Sequence, residues 1–195
     1  MCSFCSFVPE KSNKLLQRWV EDLNVDVRIS SPRATKLGDF KVRDNRMIIT
    51  INNNLNKYSF LITLTHELAH AFVFKQYRNT LKPHCIIWKS MFKSLMLNFL
   101  TLDFFPEVIL QALSRHIINP KASTFSDLTL LQALRRYDQV RPFTLSDLAV
   151  GDLFKTPNGK VFLKGKRIRK RYQCIECKTD KIYLFHPFSE VIKEQ

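Results

Sequence analysis

An H-E-x-x-H motif lies inside an apolar, helix-like run in the first half of the chain, where it reads His66-Glu67-Leu68-Ala69-His70. Residues four apart on an α-helix share a face, so the imidazoles of His66 and His70 can bind one metal ion. Glu67 lies one position further round, where its carboxylate can take a proton from a water that the metal activates. This is the general-base role in zinc peptidases. The alternative is two solvated or capping histidines on an ordinary amphipathic helix.

A catalytic zinc ion needs a third protein ligand and leaves its fourth position for water. The extended motif H-E-x-x-H-x-x-G-x-x-H is absent, because Val73 stands at its glycine position and Gln76 at its final histidine position. His84 lies close behind the motif and directly follows Pro83, where a helix can start. We therefore expect His84 to be the third ligand.

Two other assignments remain open for the third ligand. The next acidic residues after the motif are Asp103 and Glu107, which is a long gap for a glutamate ligand on the following helix. His84 could instead be a capping or surface histidine. The spacing of His84, Trp88, Met91 and Leu95 predicts one helical face that packs against the H-E-x-x-H helix.

The remaining N-terminal pattern predicts an α+β domain. Helical periodicity covers residues 11–23, 57–75, 83–99, 107–117 and 128–138. Asn56 is the candidate cap of the second of these helices, and Ser126 or Asp127 that of the last. Alternating strand-like runs at 25–29, 38–42 and 46–51 predict a small antiparallel sheet. The content of 45% hydrophobic residues is enough to build a core in a chain of 195 residues.

The sequence changes character after Pro142. Turn signals at 157–159, 164–166 and 178–180 separate short strand-like runs, which predicts a small all-β unit. We therefore predict a domain boundary between residues 1–143 and 144–195.

The stretches Arg33–Gly38, Ile49–Asn52 and Phe60–Ala71 stand out together in the N-terminal half. They resemble the SprT-like metalloprotease family, which is related to the DNA-repair protease Spartan. The resemblance implies a zincin-like fold, zinc held by His66, His70 and His84, and Glu67 as the base. It also implies cleavage of proteins associated with DNA, and hence a role in DNA repair.

Many SprT-like proteins end in a zinc ribbon with two cysteine pairs, but this C-terminal part has only Cys174 and Cys177. Either the ribbon persists as a plain β unit without metal, or Cys2 and Cys5 complete a second, structural zinc site. No secretory signal is recognisable at the N-terminus, and no apolar run is long enough to span a bilayer. We therefore expect a cytoplasmic protein with reduced cysteines and no membrane partner.

A net charge of +14 favours a polyanionic partner, and nucleic acid is the first candidate. Seven of the twelve residues from Lys160 to Arg171 are basic. The candidate contacts to single-stranded or non-specific DNA are Lys164, Lys166, Arg167, Arg169, Lys170 and Arg171. Strand alternation predicts that Arg167, Arg169 and Arg171 share one face. The alternative is a solvated edge whose charges deter aggregation.

Three functions fit these patterns. The first is a zinc endopeptidase that binds an extended substrate along the strand Arg46–Ile51 and holds DNA through its basic C-terminal unit. The second is a non-catalytic nucleic-acid-binding protein with a structural or vestigial zinc site, and the third is a zinc hydrolase that acts on a substrate other than protein. Glu67 favours the first over the second, because a purely structural site needs no base at that position.

Overall fold

The structure, a computed structural model, describes residues 2–33, 36–121, 127–140 and 143–194. The chain divides into two compact units, Met1–Gln139 and Val140–Gln195. The N-terminal unit is α+β and the C-terminal unit is built on a β-sheet. No helix in the described part of the chain is both long enough and apolar enough to cross a bilayer.

The N-terminal sheet has three strands in the order β1-β3-β2. They are β1 (Val25–Ser30), β2 (Gly38–Arg43) and β3 (Arg46–Asn52). Strand β3 is antiparallel to β2 but parallel to β1, so the sheet is mixed and the prediction of an antiparallel sheet is wrong. Alternation of apolar residues reveals which face of a strand is buried, but it carries no information on strand direction.

A two-residue turn explains the β2–β3 hairpin. Asp44 and Asn45 both have positive φ, at 50° and 58°. This backbone conformation matches the twist of a tight hairpin, and Asp and Asn tolerate it better than most residues. The hairpin returns β3 between β1 and β2, which leaves β2 at one edge of the sheet.

Helix α2 (Lys57–Tyr77) is the centre of the N-terminal unit. Asn56 caps it as predicted, since its side-chain oxygen accepts hydrogen bonds from the N–H groups of Tyr58 and Ser59 at 3.1 and 3.0 Å. Eleven of the helix residues are buried, as expected of a helix in the middle of a core.

Four shorter helices surround this core. They are α1 (Asn13–Leu23), α3 (Ile86–Leu97), α4 (Glu107–His116) and α5 (Leu128–Arg135). Helix α3 begins three residues later than predicted, so His84 precedes it. His84 has a left-handed backbone, with φ of 58°. Asp127, one of the two candidate caps, caps α5 through the N–H of Leu130, and Ser126 lies outside the described residues.

The C-terminal unit contains one antiparallel sheet in the order β7-β6-β5-β4-β8. Its strands are β4 (Leu153–Lys155), β5 (Val161–Ile168), β6 (Arg171–Glu176), β7 (Ile182–Phe185) and β8 (Ile192–Lys193). Its core is made of Leu145, Leu148, Phe154, Phe162, Cys174 and Val191.

The turn predicted at residues 164–166 is wrong. Strand β5 runs through this segment with a register shift, and the chain reverses instead at Arg169 and Lys170. A Cβ on Gly165 would lie 2.4 Å from the carbonyl oxygen of Gln173 on β6. Gly165 is therefore needed for close approach of two strands, which is a use of glycine that its sequence context does not distinguish from a turn.

The prediction of five reduced cysteines is also wrong. Cys2 and Cys5 form a disulfide near the N-terminus, whereas Cys85, Cys174 and Cys177 are free thiols. Two cysteines separated by two residues come close enough to bond once the chain turns, and a short helical turn at Cys5–Phe7 follows directly.

Candidate metal centre

Three histidine side chains meet at one point of the N-terminal unit. His66 and His70 are one turn apart on α2, and His84 reaches them from the segment before α3. The Nε2 atom of His84 lies 3.2 Å from Nε2 of His66 and 3.1 Å from Nε2 of His70. The structure thus brings together all three ligands that the sequence suggested.

The spacing of these nitrogen atoms fits a metal ion. A tetrahedral zinc site with Zn–N bonds of about 2.0–2.1 Å has edges of about 3.3 Å between nitrogen atoms. The observed separations of 3.1 and 3.2 Å match that edge. Among the residues that the structure describes, these three form the group of His, Cys, Asp or Glu side chains that could hold a metal. Three imidazoles suit zinc and leave its fourth position open.

Burial keeps the three imidazoles in the neutral form that a metal requires. Burial, together with the nearby His70 and His84, lowers the pKa of His66 to about 2. Burial also lowers the pKa of His70 to about 4, with a contribution from His84, and lowers the pKa of His84. The site therefore presents nitrogen lone pairs near neutral pH without first losing protons to solvent.

The indole of Trp88 contacts all three histidines. Its ring centroid lies 4.5 Å from that of His66, 5.0 Å from that of His70 and 4.6 Å from that of His84. Trp88 is buried and stacks on Phe92 one turn further along α3. This confirms that α3 packs against the H-E-x-x-H helix, and it makes Trp88 the support that restricts the orientation of the ligands.

Glu67 is buried beside this centre. Burial, together with the charge of Asp39, raises the pKa of its carboxyl to about 8. A hydrogen bond from the backbone N–H of Phe40 and the charges of Arg33 and Lys36 act in the opposite direction. Glu67 is thus held by the backbone of strand β2.

Gly38, at the start of β2, also contacts Glu67. A Cβ atom on Gly38 would lie 2.8 Å from Oε1 of Glu67 and 2.7 Å from Cγ2 of Thr63. Real Cβ atoms do not approach so closely, so only glycine allows the strand to lie this near to the helix. Sequence reasoning missed the roles of Gly38 and Phe40, although Gly38 ends a stretch that resembled the family.

The free edge of β2 borders the same site. The N–H of Asn52 donates to the carbonyl of Leu37 at 2.9 Å. Hydrogen-bonded and non-bonded pairs alternate along antiparallel strands, so the pairs Gly38–Ile51 and Phe40–Ile49 are non-bonded. The peptide groups of Gly38 and Phe40 therefore face away from β3. The expectation that Arg46–Ile51 offers an open edge is wrong, because β3 is the central strand.

The predicted DNA contacts do not form one set. Lys166, Arg167, Arg169, Lys170 and Arg171 are exposed around the turn of the β5–β6 hairpin. Lys164 is only 3% exposed, and its Nζ donates to the carbonyls of Leu145 and Leu148 at 2.7 and 2.6 Å. The prediction that Lys164 contacts phosphate is therefore wrong, because its ammonium group is buried and bonded to these two backbone carbonyls.

The predicted common face of three arginines is also wrong. Arg167 pairs with Tyr172 and Arg171 pairs with Ile168, so these two arginines lie on opposite faces of the hairpin, and Arg169 lies in the turn with φ of 53°. Of the nearby aromatic residues, Phe162 is buried in the core, whereas Tyr183 is partly exposed. The hairpin thus offers charge at its tip rather than a stacking platform.

Cys174 and Cys177 differ in their surroundings. Cys174 is buried in the core of the C-terminal unit and Cys177 is exposed. The disulfide removes Cys2 and Cys5 as thiolate ligands, so it disfavours the four-cysteine zinc site.

Comparison with known protein families matches residues 9–104 to the SprT-like family. This segment contains α1, the three-stranded sheet, α2 and α3, and hence all three histidines and Glu67. No curated protein and no solved structure matches the chain. The stretch Arg33–Gly38, which resembled the family, includes Ala34 and Thr35, and these two lie outside the described residues. Through its N-terminal unit, the chain belongs to the SprT-like family, which is associated with metalloprotease activity.

Proposed function

We propose that the protein is a zinc-dependent endopeptidase. The observation that carries this proposal is the juxtaposition of three neutral imidazoles, spaced for one metal ion, with the buried carboxyl of Glu67. Zinc held by His66, His70 and His84 would polarise a peptide carbonyl and lower the pKa of a water molecule. A structural site would need four protein ligands and no adjacent acid.

Glu67 moves the proton in this proposal. Its carboxylate takes a proton from the attacking water and returns it to the leaving amine. Burial places the pKa of Glu67 near the working pH, and this suits a group that acts first as a base and then as an acid. The N–H of Phe40 stabilises the charged form and fixes the direction of the carboxylate.

The substrate would lie along β2. The outward-facing peptide groups of Gly38 and the carbonyl of Phe40 can pair with an extended segment, as in other cases of strand addition. Main-chain pairing selects for an extended, accessible backbone rather than for particular side chains. Broad sequence tolerance is therefore expected.

The C-terminal unit would supply a nucleic-acid contact. The exposed basic residues at the tip of the β5–β6 hairpin suit phosphate groups, and none of them requires a particular base. Arg169 occupies a left-handed turn position that Gly or Asn would fill at lower energetic cost. A contact with DNA would concentrate proteins bound to the same DNA near the peptidase.

One experiment separates this proposal from a non-catalytic DNA-binding protein, which the exposed hairpin would also suit. Zinc-loaded protein is incubated with a DNA-binding protein, with and without single-stranded DNA, beside the Glu67→Gln variant and a Glu21→Gln control on the exposed side of α1. Cleavage by the wild type and control but not by Glu67→Gln supports the proposal. DNA binding without cleavage in any sample would favour the binding protein.

A further inference from the structure

A network of hydrogen bonds joins Arg33 to the end of strand β3. The guanidinium of Arg33 donates from Nε to Oδ1 of Asn52 at 2.8 Å, from Nη1 to Oγ1 of Thr50 at 3.0 Å, and from Nη2 to the carbonyl of Thr50 at 3.2 Å. A planar group with three bonds in fixed directions restricts both partners more than a single ammonium contact does.

Asn52 also forms hydrogen bonds to the segment before β2. Its Nδ2 donates to the carbonyls of Arg33 and Lys36 at 3.3 and 3.0 Å, and its backbone N–H donates to the carbonyl of Leu37 at 2.9 Å. Asn52 is 1% exposed, so each of these polar groups depends on its partner. We call this network of Arg33, Asn52 and Thr50 the Arg33–Asn52 clamp.

The clamp ends at the point where the chain meets Glu67. Leu37 is followed by Gly38, which lies against the Glu67 side chain, and then by Phe40, whose backbone N–H favours the charged form of the Glu67 carboxyl and so lowers its pKa. The two bonds that Asn52 makes to Lys36 and Leu37 therefore set how far the start of β2 stands from α2. A shift of β2 would therefore move both Gly38 and Phe40 relative to the Glu67 side chain.

We propose that Arg33 and Asn52 are positioning residues, which act through Gly38 and Phe40 to keep the Glu67 carboxylate directed at the metal centre. The test of this inference by peptide cleavage rests on the proposed peptidase function, whereas its test by hydrogen exchange does not. Displacement of a reacting group by about 1 Å can lower a rate by about 100-fold, so a clamp at this place matters for turnover.

The competing explanation for Arg33 is its charge. A cation near Glu67 favours the carboxylate over the neutral acid, whatever hydrogen bonds the cation makes. Lysine keeps this charge but lacks the planar guanidinium that makes three bonds to Asn52 and Thr50 in fixed directions. The Arg33→Lys variant therefore separates positioning from charge.

The test compares Arg33→Lys and Asn52→Ala with two matched controls, Arg18→Lys on the exposed side of α1 and Asn53→Ala next to the clamp. We expect kcat for peptide cleavage to fall about tenfold or more in both clamp variants, with KM and zinc stoichiometry unchanged. The controls should match the wild type. Full kcat in Arg33→Lys, or a change confined to KM, would overturn the proposal.

A second readout does not depend on cleavage. Residue-resolved hydrogen exchange of the zinc-loaded protein reports the Phe40 amide, which the clamp should keep close to the buried Glu67 carboxyl. We expect this amide to exchange at least about tenfold faster in Arg33→Lys and Asn52→Ala than in the wild type and controls. Unchanged Phe40 exchange in Arg33→Lys would contradict the clamp even if no variant cleaves peptide. Faster exchange with an inactive wild type would retain the clamp and reject the peptidase.

Discussion

Burial determines the protonation of four side chains at the metal centre. The same loss of water that keeps His66 and His70 neutral makes the Glu67 carboxyl a weaker acid. Neutral imidazoles are metal ligands, and a carboxyl with a raised pKa is a suitable proton carrier. A single apolar environment thus prepares both functions, and the contact of Trp88 with the three imidazoles maintains it.

The His84→Ala variant tests the third ligand. Loss of a residue that merely orients a zinc ligand costs about 10–100-fold in affinity, so loss of a ligand should cost more than about 100-fold. Zinc affinity is measured by competition with a chelator of known affinity, and His186→Ala in the C-terminal unit serves as the control. Equal affinities of His84→Ala and the wild type would remove His84 from the site.

Site residues that lie close together along the chain could be predicted from the sequence. The relation of His66, Glu67 and His70 follows from the pitch of one helix, and His84 could be inferred because it lies close along the chain. Gly38 and Phe40 contact Glu67 from a distant part of the chain, through a strand pairing that the pattern did not specify. No rule of spacing connects them, so their roles emerged only from the fold.

Helices α4 and α5 are joined by a polar pair between the buried His116 and the partly exposed Asp127. Nδ1 of His116, at the end of α4, lies 2.9 Å from Oδ2 of Asp127, which also caps α5. Burial raises the pKa of Asp127, but the hydrogen bonds from His116 and from the Leu130 N–H outweigh this effect and hold the pKa below its ordinary value of 3.8. The folded state therefore favours the ionised carboxylate.

This shift predicts how stability depends on pH. A depressed carboxyl pKa contributes stability that is complete above the ordinary pKa and is lost as the pH falls through the lower, folded value. We expect Asp127→Asn, which keeps a good cap, to be less stable than the wild type at pH 6 and to approach it below about pH 3. Urea titrations across this range measure the difference. A gap that is constant with pH, or that also appears in the exposed control Asp44→Asn, would contradict it.

Elements with a local signal were predicted well, whereas arrangements set by other parts of the chain were not. Asn56 was identified as a cap, and Asp127 as one of two candidate caps, because a capping side chain acts within three residues. The mixed sheet order and the true reversal at Arg169 depend on strand pairing, and Gly165 gave a misleading turn signal. The predicted substrate strand failed for the same reason, because pairing determines which strand is at the edge.

Across the whole molecule, positive charge is present in both units, but the β5–β6 hairpin concentrates it. The net charge of +14 favours association with polyanions in general, while the exposed hairpin tip gives that attraction a defined place. The division into a unit with a candidate metal centre and a basic β unit fits the proposed function, in which one unit would hold DNA and the other would cleave proteins bound to it.

A triple variant tests the hairpin. Arg167, Arg169 and Arg171 are changed to Gln, and the control carries the same change at the exposed Arg18, Arg28 and Arg43 of the other unit. We expect the hairpin variant to bind single-stranded DNA more weakly, with a salt dependence that is shallower by about 0.7 for each phosphate that is no longer neutralised. Equal weakening in both variants would show that net charge, and not the hairpin, accounts for binding.

The most direct test of the central claim is the turnover of one peptide substrate by zinc-loaded wild type and Glu67→Gln, with equal zinc content verified in both. Removal of a general base lowers turnover by about 100-fold or more, so the account predicts a loss of at least that size in Glu67→Gln while zinc remains bound. A Glu67→Gln variant that retains zinc and cleaves at the wild-type rate would contradict the assignment of Glu67, and with it the proposed mechanism.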